Sequence, residues 1–156
     1  MKLPLGFAFE ETMAGTWSRA SGAAGGPNGE RPVAFTVRAR AADLAEWLRT
    51  GQVGLDGTIE VSGLASHVPA RGTMVLAPLR RRIIRYELAF TGDDARPYRL
   101  EGQKDLSLAD LPGSLTVLPA VIVHGDSGTE VGRATLRFDA KADLVEFLLS
   151  WRPVLG

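Results

Sequence analysis

Two charged side chains interrupt the apolar faces of predicted strands and are the first candidates for chemistry. Glu11 follows Phe7 and Phe9 in an alternating segment and precedes Met13 on the same face, and Lys104 falls on the apolar face of a later segment. An unpaired charge is costly to bury, so each of these residues needs a partner. The simplest arrangement is that Glu11 and Lys104 meet inside the fold as an ion pair.

This pair allows two interpretations. As a functional site it would be the polar anchor of an otherwise apolar small-molecule pocket, and its members could also act as acid and base. Alternatively, one or both residues lie near a strand end, where a lysine can keep its ammonium group in water. On the functional interpretation, large side chains of the apolar faces would line the cavity: Phe9, Met13, Trp17, Tyr86 and Phe90.

Other reaction chemistries find little support in the residues. The chain has no cysteine, which excludes disulfides, thiolate metal sites and a cysteine nucleophile. His67 and His124 have no second ligand at metal-binding spacing, and no G-x-S-x-G sequence marks a serine nucleophile. The glycines over 22–29 do not lie between a strand and a helix, so they form neither a phosphate loop nor a dinucleotide fingerprint. We therefore expect no metal and no cofactor.

The charge balance indicates neither a nucleic acid nor a membrane partner. The chain has 18 Lys and Arg residues and 18 Asp and Glu residues, so its net charge gives no basic surface. Arginines interleaved with glutamates favour a solvated face that deters edge pairing, and only the cluster at 80–82 leaves anion binding open. The longest apolar run, 115–123, is too short to span a bilayer. The first residues lack a signal-peptide pattern, so we expect a cytoplasmic protein.

Alternation with a period of two residues dominates the chain and predicts eight strands. The predicted strands cover 5–17, 33–40, 54–63, 67–79, the two arms of a hairpin over 83–106, 114–124 and 129–139. The segment over 114–124 is apolar on both faces, which indicates either burial on two sides within one chain or contact with a helix or another subunit. A protein partner or a homo-oligomer is therefore left open.

Two segments change to a helical period. Leu44, Trp47 and Leu48 stand at i, i+3 and i+4 and predict a short amphipathic helix that Gly51 ends. The sequence ADLAEWL over 42–48 returns as ADLVEFL over 142–148, which predicts a second helix. The repeat favours a convergent strand-to-helix junction with an Asp in the first turn over an internal duplication.

These elements predict a single mainly β domain over 1–156, with a flexible loop at 19–31. One sheet of eight antiparallel strands with one apolar face has to curl or close to hide that face. We expect a mostly up-and-down eight-stranded β-barrel of the calycin or lipocalin kind with two short α-helices, and a strongly bent open sheet is the alternative. A barrel of this size is wide enough for one small ligand.

The register of the hairpin over 83–106 follows from charge pairing. A three-residue connection centred on Asp93 pairs Arg85 with Glu101 and Glu87 with Arg99, and each pair contributes a few tenths of a kcal/mol. A shift by two residues would place Glu87 opposite Glu101. The first register is therefore preferred.

Three motifs carry a resemblance to a known group of proteins. They are F-x-F-x-E-x-M-x-G from Phe7, L-x-G-x-I from Leu55, and R-Y-E-L followed by G-D-D-A-R-P-Y-R-L-E-G-Q-K-D-L. The chain resembles the small β-rich accessory segments beside cholesterol-oxidase-like glucose–methanol–choline flavin oxidoreductases and hydrolases of some bacteria. Those segments usually have Gly where this chain has Ala95. The resemblance implies a lipid- or steroid-related setting and no flavin site, and Glu11 and Lys104 stand at matched motif positions.

The sequence thus predicts a small-molecule-binding β-barrel with an apolar interior and a lipid- or steroid-like ligand. One alternative is a small cofactor-free enzyme of the isomerase or cyclase type that uses Glu11 and Lys104. Another is a structural accessory domain of an oxidoreductase system.

Overall fold

The computed structural model describes residues 5–20, 29–77, 83–105, 116–138 and 152–155. Three features predicted from the sequence lie outside these residues: the second helix at 142–148, the arginine cluster at 80–82 and most of the loop at 19–31. The described chain forms the following elements: β1 Leu5–Arg19, β2 Arg31–Ala41, α1 Leu44–Thr50, β3 Gln52–Val61, β4 Ala65–Ala77, β5 Ile83–Thr91, β6 Pro97–Asp105, β7 Val117–His124, β8 Glu130–Arg137 and β9 Arg152–Leu155.

The first eight strands close into a barrel. Each strand from β1 to β7 pairs antiparallel with the next one in the chain, and β8 pairs back to β1. The predicted eight-stranded, mainly β, up-and-down architecture is confirmed, and its calycin-like description is consistent with this topology. The bent open sheet is wrong because β1 and β8 are joined from Ala14↔Arg137 to Arg19↔Gly132.

A ninth strand was not predicted. β9 pairs with the start of β1, from Leu5↔Leu155 to Ala8↔Arg152, and continues the edge of β1 that β8 leaves at Ala14. Four residues are too few to show a period of two, and Pro153 argues against a strand in the sequence. The long β1 therefore has β2 on one edge and β8 followed by β9 on the other.

Inward-facing glycines allow the strands to bend into a closed ring. A Cβ atom on Gly72 of β4 would collide with the carbonyl oxygen of Glu87 on β5, and one on Gly15 of β1 would collide with that of Thr135 on β8. A missing side chain lets neighbouring backbones approach, which is how glycine kinks curve barrels. The closure of the sheet thus depends on positions where no side chain fits.

The two ends of the barrel have different connections, and we name them accordingly. At the turn end, short turns join β3 to β4 over 62–64, β5 to β6 over 92–96 and β7 to β8 over 125–129. At the helix end, α1 joins β2 to β3, and β1 begins.

Helix α1 ends at Gly51 as predicted, whereas Asp43, which the sequence predicts in the first turn, is the N-cap. The Asp43 side chain accepts hydrogen bonds from the backbone of Ala45 and Glu46, and Gly51 ends the helix in the left-handed conformation with φ 73°. Trp47 packs against Phe7 of β1. Leu48, predicted on the same apolar face, is 58% exposed, so its predicted burial is wrong. The bulky Trp47 ring makes the contact to Phe7, and Leu48, one residue further on, is turned about 100° away from it.

The predicted register of the β5–β6 hairpin is also wrong. The connection has three residues, but its centre is Asp94, because Gly92 N–H donates to the Arg96 carbonyl and Ala95 N–H donates to the Gly92 carbonyl. Ala95 adopts the left-handed conformation with φ 66°, as the last residue of a three-residue loop commonly does. Moving the centre by one residue shifts the pairing by two.

The observed register places two like charges opposite each other. Glu87 faces Glu101, Arg85 faces Gln103, and Ala89 faces Arg99. The Arg99 Nε lies 3.0 Å from the Glu101 Oε1 and 4.0 Å from the Glu87 Oε1. One guanidinium between two carboxylates offsets their repulsion, so charge pairing alone could not select the register.

Candidate functional site

Glu11, Tyr86 and Lys104 form one hydrogen-bonded cluster in the barrel interior, which we call the ionic trio. The Tyr86 hydroxyl lies 2.8 Å from both carboxylate oxygens of Glu11 and donates its single hydrogen to that carboxylate. Lys104 Nζ donates to Glu11 Oε1 at 3.3 Å. The predicted pairing of Glu11 with Lys104 is confirmed, and the Tyr86 hydroxyl adds a partner that the alternation could not reveal.

Three strands position the trio. Glu11 lies in the middle of β1 opposite Val37, Tyr86 faces Gly102 across the β5–β6 pair, and Lys104 faces Ile84 in the same pair. The Lys104 ammonium also lies 5.2 Å from the centre of the Tyr86 ring, within the range of a cation–π interaction. Tyr86 therefore contacts both charged residues, one through its hydroxyl and one through its ring.

The trio is buried although Lys104 stands next to the end of β6. The side chains of Lys104 and Glu11 are 4% and 6% exposed. The alternative in which the Lys104 ammonium reaches water at a strand end is therefore wrong. Because two charges are removed from water together, each depends on the other for compensation.

Burial also controls the protonation of Tyr86. Loss of hydration raises the pKa of its phenol well above the usual value, and the negative charge of Glu11 and the hydrogen bond to it raise that pKa further. A phenolate beside the Glu11 carboxylate would place two negative charges in contact. Tyr86 thus stays a hydrogen-bond donor at neutral pH.

Within the described residues, the ammonium group of Lys104 uses only part of its hydrogen-bonding capacity. It carries three donors, and within the described chain it makes one hydrogen bond, to Glu11. The single hydrogen of Tyr86 is already directed at Glu11. The donors of the trio that have no partner among the described residues therefore belong to Lys104.

The predicted lining residues divide between the two ends. Phe9 and Met13 flank Glu11 on the inner face of β1, and Tyr86 is part of the trio. Trp17 lies toward the turn end, where its indole nitrogen donates to the Ser62 carbonyl at 3.1 Å. Phe90 stacks on another turn-end ring, Tyr98, at 5.7 Å. All of these residues belong to the continuous core, and their role in ligand binding stays a prediction.

The described interior of the barrel is almost completely enclosed. Met13, Leu88 and Leu100 have no accessible surface at all (0%). A small remainder of accessible surface is found beside the trio, at Glu11 and at Ile84. Other interior side chains toward the helix end, Leu118 and Leu136, are fully enclosed, so the two ends do not differ consistently in burial.

Trp47 is a further candidate that the sequence placed on a helix face without assigning it a role. Its indole nitrogen is buried and has no hydrogen-bond partner in the part of the chain that the structure describes. Its ring meets Phe7 edge-on at 5.1 Å, and Phe7 stacks on Phe9 at 6.2 Å. These rings form a continuous aromatic path from α1 to the residue beside Glu11. The pattern of the sequence shows the apolar face but not the unsatisfied donor.

The other candidate groups do not form sites in the described residues. No group of three or more His, Asp or Glu side chains that could hold a metal ion occurs in the described ranges. His124 packs against the ring of Tyr98 at 5.2 Å. None of the helices described is long and apolar enough to cross a membrane.

The outer face carries paired charges and two shallow clefts. Arg38 lies 3.0 Å from Glu10, and Arg133 lies 3.0 Å from Glu130, as expected of a solvated face. A cleft of about 670 Å³ extends over β5 to β8 around Val121, and one of about 330 Å³ lies over β1 to β3. Of the trio, only Tyr86 is among the lining residues of the larger cleft, and none of the three lines the smaller one.

Comparison with protein-family models, with curated proteins and with solved structures identifies no match for this chain.

Proposed function

We propose that this protein binds a largely apolar small molecule, of lipid or steroid type, inside the barrel, with the ionic trio as its polar anchor. The observation that supports the proposal is the buried Glu11–Lys104 pair, which joins β1 and β6 through a carboxylate that Tyr86 also contacts. A buried ion pair is weak evidence for stability, because apolar residues of similar volume often serve as well or better. A role in ligand binding would explain why the interior contains this ion pair.

The ligand would lie toward the helix end. The middle of the barrel is filled, and the turn end is closed by hydrogen bonds between neighbouring turns. There, Asp93 N–H donates to the Leu64 carbonyl at 2.9 Å, and the Ser66 hydroxyl donates to the Asp93 carboxylate at 2.7 Å. Entry past the rings of Phe7 and Trp47 would bring an apolar body to the trio without breaking this network.

The test is binding of a hydrophobic dye, Nile red, to two variants that introduce the same residue at two inward positions of β6. Lys104→Met and Leu100→Met both place a methionine on the inner face of that strand. Leu100→Met conserves volume and should retain the affinity of the unchanged protein within about twofold, since such swaps cost little. Lys104→Met should weaken binding about tenfold or more. Native mass spectrometry of the purified protein would detect a lipid that stays bound, and equal dye affinity in both variants would contradict the trio as anchor.

A small cofactor-free enzyme is the second candidate, supported by the Tyr86–Glu11 hydrogen bond. A phenol that stays protonated beside a carboxylate can donate to a developing negative charge while the carboxylate accepts a proton. In that case Lys104→Met should abolish turnover of a ketosteroid or similar substrate and leave measurable affinity for it. The resemblance to accessory segments of cholesterol-oxidase-like proteins motivates steroids as the first compounds to assay.

A further inference from the structure

We infer that the ligand of the trio is electrically neutral and carries one oxygen atom, as an alcohol or a ketone does, rather than a carboxylate or an amine. This inference rests on the proposed function and specifies the chemical class that the same site would bind. It follows from the charge of the trio and from the hydrogen-bond donors that the trio leaves unused.

The charge of the trio is already balanced. One carboxylate and one ammonium group, 3.3 Å apart, sum to zero, and Tyr86 is neutral. A carboxylate ligand that approached the Lys104 ammonium would also approach Glu11, and repulsion is strong where water is excluded. An amine that approached Glu11 would meet Lys104 in the same way. The trio therefore disfavours ligands of either charge.

The free donors require an acceptor. Lys104 makes one hydrogen bond within the described chain, so up to two of its hydrogens can point to a ligand oxygen. A ketone can accept one of them. An alcohol can accept from Lys104 and also donate to the Glu11 carboxylate, whose oxygens have lone pairs beyond those used by Tyr86 and Lys104. An alcohol is thus the better match of the two.

Apolar residues adjoin the trio on β5 and on β1. Ile84 faces Lys104 across the β5–β6 pair, and Phe9 precedes Glu11 on the inner face of β1, opposite the small side chain of Ala39. A chain or ring system of carbon atoms can pack against these side chains while its single oxygen reaches Lys104. The binding class that results is an apolar alcohol or ketone.

The experiment is a competition series on the unmodified protein. Nile red is bound first and then displaced at pH 7.5 by five compounds with ten-carbon chains: 1-decanol, 2-decanone, decane, decanoate and decylammonium. We expect 1-decanol and 2-decanone to displace the dye at concentrations at least tenfold below those of the charged compounds and of decane. Displacement by decanoate or decylammonium at equal or lower concentration would overturn the inference and leave the proposed function standing. Failure of the dye to bind, or of every compound to displace it, would overturn both.

Two variants with a single remaining charge sharpen the test. Glu11→Gln leaves Lys104 as the only charge of the trio, so the preference should shift at least tenfold toward decanoate. Lys104→Met leaves Glu11 and should shift the preference toward decylammonium by a similar factor. Leu100→Met is the control and should keep the order of the unmodified protein. If circular dichroism shows that a single variant does not fold, the double variant E11Q/K104M replaces it, and it should bind 1-decanol no better than decane. An unchanged order in folded variants would contradict the assignment of the oxygen to the trio.

Discussion

Among the described residues, each end of the barrel has one tryptophan and one tyrosine whose polar atom needs a hydrogen-bond partner, and the partners differ between the two ends. At the turn end, Trp17 donates to a backbone carbonyl and the Tyr98 hydroxyl donates to Asp94 at 2.6 Å, beside an exposed turn. At the helix end, Tyr86 donates to a buried carboxylate. The buried nitrogen of Trp47 has no partner there among the described residues.

The two ends of the barrel thus contain different kinds of polar contact. The turn end uses hydrogen bonds to a backbone carbonyl and to carboxylates of an exposed turn, and each such bond makes a modest contribution to stability. The helix end holds an ion pair and an unsatisfied donor, neither of which a stable core needs. The two ends therefore differ in the kind of polar group that they enclose, and substitutions at each end can measure what that difference contributes to stability.

The largest predicted effect on the free energy of unfolding comes from the buried ion pair at the helix end. Lys104→Met leaves the Glu11 carboxylate buried without its counter-charge and should lower the free energy of unfolding by about 3–5 kcal/mol. The double variant Glu11→Leu/Lys104→Met removes both charges and should recover most of that loss. Denaturant unfolding of both variants measures the difference. A double variant less stable than the single one would show that the ion pair itself holds the barrel together.

A second effect should appear in alkali. The pKa of Tyr86 is raised in the folded protein, so above about pH 10 the unfolded chain loses a proton that the folded chain keeps. The stability that this proton supplies is complete below pH 10 and falls by up to about 1.4 kcal/mol per pH unit above it. Unfolding curves between pH 8 and 11 measure this slope.

Tyr86→Phe should remove the larger part of that alkaline slope. Tyr98→Phe should remove a smaller part, because the pKa of Tyr98 is also raised, by burial and by Asp94, but less strongly. Equal effects of the two substitutions on the alkaline slope would contradict the stronger burial effect on the pKa of Tyr86.

Substitutions of Trp17 and Trp47 should differ by an effect of intermediate size. Trp17→Phe removes the donor that satisfies the Ser62 carbonyl, whereas Trp47→Phe removes a donor that has no partner in the described chain. Both changes reduce the volume of the ring alike. Trp17→Phe should therefore be the more destabilising by about 1 kcal/mol or more, as thermal or denaturant unfolding can show. A larger loss at Trp47 would mean that its indole nitrogen is satisfied in solution.

The smallest effect concerns Asp94 at the turn end. The hydrogen bond from Tyr98 is the main cause that lowers the pKa of its carboxyl group. Its contribution to stability is therefore present above about pH 4 and is lost as the pH falls through the lowered pKa. In Tyr98→Phe the pKa of Asp94, followed by NMR, should rise toward its ordinary value of about 3.9. An unchanged pKa would show that the backbone of the turn, and not Tyr98, sets it.

Much of the fold and the centre of the site could be predicted from the sequence. Period-two alternation places side chains on faces whatever the exact pairing, so the closed barrel and the inward position of Glu11 and Lys104 followed. Their pairing followed because a buried charge needs a partner. The hairpin register could not be predicted in this way. It depends on the left-handed backbone of Ala95, a conformation that is unusual for a residue with a side chain.

What could not be predicted depends on placement in three dimensions. The Tyr86 hydroxyl reaches Glu11 from a strand 75 residues away in sequence, and alternation says only that Tyr86 faces inward. The unsatisfied nitrogen of Trp47 depends on how α1 lies over Phe7. β9 is shorter than the pattern that would identify it. Each of these details belongs to the helix end, where the candidate site lies.

The edge of β1 that pairs first with β9 and then with β8 has a mechanical consequence. Leu5 and Leu155 are direct partners, so a force that pulls these two residues apart loads one pair of the β1–β9 ladder at a time instead of the whole ladder at once. β9 would peel away first, at low force, and the β1–β8 and β1–β2 ladders would still close the ring. In a force–extension measurement the protein would yield in two steps, a short release of the β9 seam and then rupture of the barrel.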